Sequence, residues 1–145
     1  MRKSGVSAFT RRLNPSPSSG RIAIDVKVVD ASALAALLFG EPDAAAIAKR
    51  LTGARLAAPA FLGFELANVC VVKAQRHPDR RGRLKDAFHL AALLMIETVA
   101  VDSAEALELA EATGLTAYDA SYLWLSRKLG GELITLDPKL AAAAT

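Results

Sequence analysis

Short β-branched runs alternate with longer stretches of helical periodicity from residue 22 onward. Val26 to Val29, broken only by Lys27, predicts a strand with Asp30 at its carboxyl end. Alanine and leucine dominate from Ala31 to Phe39, with Ser32 suited to cap a helix. Gly40, Glu41, Pro42 and Asp43 then punctuate before a second helix over 43–52. Arg55 to Ala58 predicts a strand leading to Pro59. Leu62, Leu66, Val69 and Val72/Lys73 recur at three- to four-residue spacing, which predicts a helix from Ala60 to about Gln75. His77 and Pro78 end it. A further helix is expected over 79–94, where Leu84, Phe88, Ala91/Ala92 and Met95 repeat, so that the two form a helical hairpin. Glu97 to Val101 reads as a strand and Ser103 through Thr113 as a helix stopped by Gly114. Thr116 to Leu129 reads as a helix closed by Gly130 and Gly131, and Leu133 to Leu136 as the last strand. Asp137 and Pro138 open a short alanine-rich helix.

Short strands separated by helices imply an α/β fold, a three-layer α/β/α sandwich around a mostly parallel central sheet. In such sheets, sites collect beyond the carboxyl ends of the strands, where both Asp30 and Asp137 fall. Phe39, Phe61, Phe64, Tyr122 and Trp124 line core or interface, with core the default for each.

With 52% apolar residues in 145, the chain supports one domain with a real core. Its charge is unevenly placed. Arg2, Lys3, Arg11, Arg12 and Arg21 give residues 1–21 a charge of +5 with no acid, leaving 13 basic and 15 acidic residues, a net of −2, in the remainder. Prolines and small polar residues between Leu13 and Gly20 mark 1–21 as a flexible basic tail, with the folded domain over 22–145. A single cysteine, Cys70, in a buried-helix pattern gives no basis for an intramolecular disulfide. There is no signal-peptide pattern and no uninterrupted apolar span, so the expected compartment is the cytoplasm, without a membrane association.

Four acids, Asp30, Glu65, Asp119 and Asp137, each interrupt an apolar or alanine-rich stretch. Each has a structural explanation. Asp137 before Pro138 is a good N-cap, Thr116 with Asp119 resembles a capping box, Asp30 suits a cap, and Glu65 suits a solvated face. Gathered on one surface, however, four carboxylates hold a hard divalent cation far better than they hold a core. That pattern points to a metal-dependent phosphodiester hydrolase.

Val28, Val29, Asp30, Ala31, Ser32, Ala33 resembles the opening motif of the PIN domain. Phe64 to Val69, Thr116 to Tyr122, and Thr135, Leu136, Asp137 resemble its second, third and fourth motifs. The resemblance runs in order over 26–141, and within the family it is nearest to the VapC-type ribonuclease toxins of bacterial toxin–antitoxin pairs. It implies that Asp30, Glu65 and Asp119 hold Mg²⁺ or Mn²⁺, that Asp137 completes the cluster, and that Ser32 or Thr135 hydrogen-bonds around the metal or phosphate. An RNA substrate, a homodimer and a cognate VapB-like antitoxin are further implications.

Lys73, Arg76, Arg80, Arg81, Arg83 and Lys85 crowd the expected helix junction, either as an ordinary solvated face or as contacts for an RNA backbone. Rival chemistries lack their residues. No Gly-rich phosphate loop or Cys/His metal spacing is present, His77 and His89 have no ligand partners in the pattern, and a receiver domain fits only loosely. The reading from another class is a catalytically silent PIN-like module that binds RNA or an antitoxin.

Overall fold

The computed structural model describes residues 25–145; the basic segment 1–21 and residues 22–24 lie outside it. Four strands form the sheet: β1 (Val26–Val29), β2 (Arg55–Pro59), β3 (Glu97–Val99) and β4 (Glu132–Ile134). Their order is β3-β2-β1-β4 and every pairing is parallel. Between β1 and β2 lie helices α1 (Ala31–Leu38) and α2 (Ala44–Leu51), and between β2 and β3 lie α3 (Leu62–Arg76) and α4 (Arg81–Leu90). Helices α5 (Ser103–Thr113) and α6 (Ala117–Leu129) connect β3 to β4, and α7 (Pro138–Ala144) follows.

This order decides the layering. The chain steps outward from β1 to β2 to β3, then returns past both to place β4 on the other side of β1. Parallel crossovers are right-handed, so the outward helices cover one face and the returning helices the other. The direction reverses between β1 and β4, which leaves a crevice at their carboxyl ends. Asp30 sits there, its amide donating to the Ile134 carbonyl at 3.1 Å.

Val28 and Val29 of central strand β1 and Ile134 of edge strand β4 are fully buried, as are Leu34, Ile47, Leu66, Leu123, Leu125 and Leu140 of the surrounding helices. Helix α6 is buried continuously from Ala120 to Ser126, and its two serines there return their hydroxyls to the backbone, Ser121 to Ala117 and Ser126 to Leu123. Lys27 is tolerated in a central strand because its ammonium lies 3.7 Å from Glu132 and 3.8 Å from Asp25 and donates to the Arg50 carbonyl. An unpaired ammonium in that position would be costly.

Several expected boundaries move. The helix expected over 79–94 is broken into a 3₁₀ turn (Pro78–Arg80), α4, and a second 3₁₀ turn (Ala91–Leu94), ending at Met95 in the left-handed region with φ 56°. Pro78 starts the first turn because it lacks the amide a longer helix would need. Strand β3 stops at Val99, whose carbonyl accepts the Ala60 amide as β2 itself ends. Strand β4 stops at Ile134 because Thr135 and the Leu136 amide turn their hydrogen bonds toward Asp30 and Ser32. Phe64, expected in the core, is 83% exposed. The α3 face that packs inward carries Leu62, Leu66 and Cys70, and Phe64 points away from that stripe.

Gly131 enters β4 against the start of β1. A Cβ on it would lie 2.7 Å from the Val26 carbonyl oxygen and 3.1 Å from Val26 Cγ1, so only glycine lets the strands approach. Gly131→Ala is expected to cost about 1–3 kcal/mol and lower the thermal midpoint by roughly 4–15 °C. An unchanged midpoint in a circular-dichroism melt would show that the β1/β4 junction relaxes freely.

Candidate active site

The crevice gathers side chains from four segments. Asp30, 4% exposed, follows β1 and is the N-cap of α1, its Oδ1 accepting the Ala33 amide at 3.0 Å. Oδ1 also accepts Ser32 Oγ at 2.7 Å, and Oδ2 accepts Thr135 Oγ1 at 2.6 Å. Both hydroxyls are themselves anchored, since Ser32 Oγ accepts the Leu136 amide and Thr135 Oγ1 accepts the Asp137 amide, each at 3.0 Å. Each hydroxyl has one proton, and here it goes to Asp30. Ser32 and Thr135 therefore orient that carboxylate and stitch the β4–α7 loop to the end of β1.

Asp137 caps α7, its Oδ1 accepting the amides of Lys139 at 2.8 Å and Leu140 at 3.1 Å. Thr116 caps α6 by accepting the Asp119 amide at 3.1 Å, which places Asp119 in the first turn. Glu65 lies in the first turn of α3, just beyond the end of β2. Capping thus accounts for the placement of Asp30 and Asp137, while Asp119 and Glu65 ride on turns fixed by other groups.

Glu65 and Asp119 sense the other acids. Burial is the main cause that pushes Glu65 above the ordinary carboxylate range; a hydrogen bond from Tyr122 pulls it back, and the charges of Asp119 and Asp30 push it up again. Asp119 is raised first by burial, then by Asp137 and Asp30, against a hydrogen bond from Thr116 and the nearby Lys139 ammonium. Crowding of like charge is the physical signature of a site built for a positive ligand. Among the described residues no three His, Cys, Asp or Glu side chains are arranged, as they stand, to hold a metal ion.

Two neighbours of the acids were not singled out as site groups by the sequence pattern. Tyr122 is 1% exposed, and its hydroxyl donates to Glu65 Oε1 at 2.6 Å. Burial and the Glu65 charge hold that phenol far above its ordinary pKa, so it is a permanent donor. The usable signal was register, because Tyr122 falls three residues after Asp119 on one helix face. Lys139 is the second; its Nζ donates to the Gly114 carbonyl at 2.8 Å, tying the first turn of α7 to the loop that enters α6.

The basic cluster sits elsewhere. Arg76 lies about 16 Å along α3 from Glu65, and Arg80, Arg81, Arg83 and Lys85 are exposed around the turn beyond it. Lys73 is engaged, 2.8 Å from Glu41 and 5.7 Å above the Phe39 ring. These groups occupy the far end of the helical hairpin rather than the rim of the acidic crevice.

A switch-point crevice of four carboxylates on a β3-β2-β1-β4 parallel sheet defines the class: the chain belongs to the PIN-domain family, whose family model matches residues 27–145. Within it, the chain falls among the VapC-type toxins. It is 33% identical over 119 residues to Ribonuclease VapC3 of Pyrobaculum aerophilum, covering 79% of this chain and 91% of that protein. The crystal structure of PAE2754 from Pyrobaculum aerophilum superposes with a TM-score of 0.68 at 26% identity, over 88% of this chain and 84% of that one. VapC20 of Mycobacterium tuberculosis, described as a sarcin–ricin loop cleaving toxin, shares the fold with a TM-score of 0.58 at 19% identity, over 81% of this chain and 94% of that one.

Proposed function

We propose that the protein is a Mg²⁺-dependent endoribonuclease and the toxin of a VapBC-type toxin–antitoxin pair. The observation that carries this is the convergence of Asp30, Glu65, Asp119 and Asp137 on one crevice, in a chain one-third identical to Ribonuclease VapC3. The donor set is all oxygen, and its charges repel one another without a counter-cation, which suits a hard divalent ion. Asp30, Glu65 and Asp119 would hold Mg²⁺ or Mn²⁺, with Asp137 completing the cluster. Mg²⁺ keeps several waters, so two or three carboxylates plus a substrate phosphate are enough. When bound, the ion supplies Lewis acidity toward water and toward the phosphate oxygens.

The protein's own groups do the positioning. Ser32, Thr135 and the Ala33 amide hold both oxygens of Asp30, Tyr122 holds Glu65, and Thr116 sets the turn that carries Asp119. Exposed Arg76, Arg80, Arg81, Arg83 and Lys85 would meet backbone phosphates away from the cleaved bond. Phe64, Val71 and Val72 on α3, with Leu90, Leu93 and Met95 beyond, leave large apolar side chains exposed, in keeping with protein partners such as an antitoxin or a second copy. Among the described residues no helix is long and apolar enough to cross a membrane.

The test is cleavage of labelled total RNA by antitoxin-free protein in Mg²⁺, Mn²⁺ or EDTA, with Asp30→Asn as the contamination control. Products that need the metal and vanish in the variant support the reading. The capping roles of Asp30 and Asp137 favour the second reading, a silent binding module, and folded protein that binds RNA but cleaves none under any divalent ion would establish it.

A second prediction concerns stability. Glu65 and Asp119 have folded-state pKa values raised above their unfolded ones, so the folded chain binds protons more tightly there. Their contribution to stability is largest below the unfolded carboxylate range and declines as pH rises through the folded values. In EDTA at neutral pH, Glu65→Gln should therefore melt at or above the parent temperature, whereas Mg²⁺ should raise the parent midpoint more than that of the variant. Equal metal-induced shifts in both proteins would remove Glu65 from the proposed ligand set.

A further inference from the structure

We propose that Tyr118 is a stacking platform for an unpaired base of the RNA, next to the phosphate held at the acids. The inference rests on the RNA-cleaving reading and adds the residue that grips the nucleotide flanking the cleaved bond. Tyr118 is 61% exposed, an unusual position for a large ring in a chain with an otherwise well-buried α6. It precedes Asp119 in the first turn of α6, about 3.8 Å away along the backbone. Successive helix residues diverge around the axis, so the ring flanks the crevice and does not fill it.

The ring is also braced. Phe61 meets it edge-on at 5.2 Å and 86°, and the same Phe61 meets Tyr122 at 5.6 Å and 89°. Phe61 packs against the core, and Tyr122 is buried with its hydroxyl on Glu65. One aromatic chain therefore runs from an exposed surface to a carboxylate of the site. Edge-to-face contacts hold a ring while leaving area free, and every base offers a face to such a platform. Protein readers of single-stranded RNA use this geometry to hold unstacked bases without requiring one sequence. The ring's place in the same helical turn as Asp119 favours a nucleotide over a protein partner.

The experiment measures binding apart from cleavage. Asp30→Asn protein, alone and with Tyr118→Ala, Tyr118→Leu or Tyr118→Phe, is titrated with a randomised pool of short single-stranded RNAs. The strongest binder is then resynthesised with 2-aminopurine at successive positions. Stacking predicts that Tyr118→Ala weakens binding roughly 5- to 150-fold, that Tyr118→Phe stays near the parent, and that Tyr118→Leu falls between. Quenching of 2-aminopurine at one position should be lost only in the Ala and Leu variants. Unchanged affinity in Tyr118→Ala, or no RNA retained by the parent, overturns the proposal. Unchanged RNA affinity together with altered sedimentation assigns the ring to a protein contact instead. Wild-type turnover is scored separately. RNA binding that depends on Tyr118 without any turnover sinks the nuclease reading alone, and normal turnover with a neutral Tyr118→Ala sinks the stacking alone.

Discussion

Asp30→Asn is expected to lower RNA turnover by on the order of 10²-fold or more while leaving the fold intact. The carboxylate accepts three hydrogen bonds, two at Oδ1 and one at Oδ2. With the amide oxygen at the Oδ1 position, Ser32 and the Ala33 amide keep their acceptor and the α1 cap survives. The new NH₂ then faces Thr135 Oγ1, which already accepts the Asp137 amide and has a lone pair to spare. The displaced Thr135 proton has Ser32 Oγ at 3.4 Å as its nearest alternative, so the rearrangement is local. What disappears is the negative charge that the proposed cation needs, and removing several kcal/mol of electrostatic stabilisation accounts for the rate loss. Single-turnover cleavage and a circular-dichroism melt on the same preparation give both readings. Full activity in a properly folded variant would remove Asp30 from the chemistry.

Tyr122→Phe should cost on the order of 10- to 100-fold in turnover and lower the thermal midpoint by several degrees without changing the fold. The substitution keeps the ring that packs on Phe61 and removes only the hydroxyl that donates to Glu65. A hydrogen bond to a charged acceptor is worth about 1.5–3 kcal/mol, which sets the range. The pH dependence gives the sign. That hydrogen bond favours the ionised form of Glu65 and so pulls its raised pKa downward. Without it the pKa climbs further, and the acid limb of the rate profile should move to higher pH. A parallel loss at every pH would show that the hydroxyl positions the carboxylate without affecting its ionisation. An unchanged rate and profile would leave Tyr122 a packing residue.

Much of this fold was legible because its elements are strongly punctuated. Ser103 to Thr113 is a helix with the predicted limits, since Gly114 takes up φ 75° behind it and Asp102 caps the front. Asp30 at a strand end and Asp137 before proline announced their positions through local chemistry alone. The hairpin's second helix was misread because periodicity carries no information on whether a turn is α or 3₁₀, and Pro78 and Met95 decide that through backbone conformation. Phe64 was misplaced because its aromatic size was weighed above its position off the Leu62 and Leu66 stripe of α3. The Tyr122–Glu65 hydrogen bond was invisible for a different reason. It joins helices α3 and α6, and only the return of the chain past β1 brings them together. The basic cluster was readable as a charge run but not as a distance from the crevice.

The pairing of β1 with β4 joins the earliest described strand to the latest. Asp30 takes one of its hydrogen bonds from Thr135, and the Ser32 hydroxyl that supplies another is anchored by the Leu136 amide. During synthesis, the first acid of the crevice emerges long before the residues that lock it in place. A nascent chain that has not reached β4 has no reversal of strand order at β1 and no assembled crevice. Any chemistry of the crevice thus waits for the last described strand, so its competence is tied to completion of the sheet.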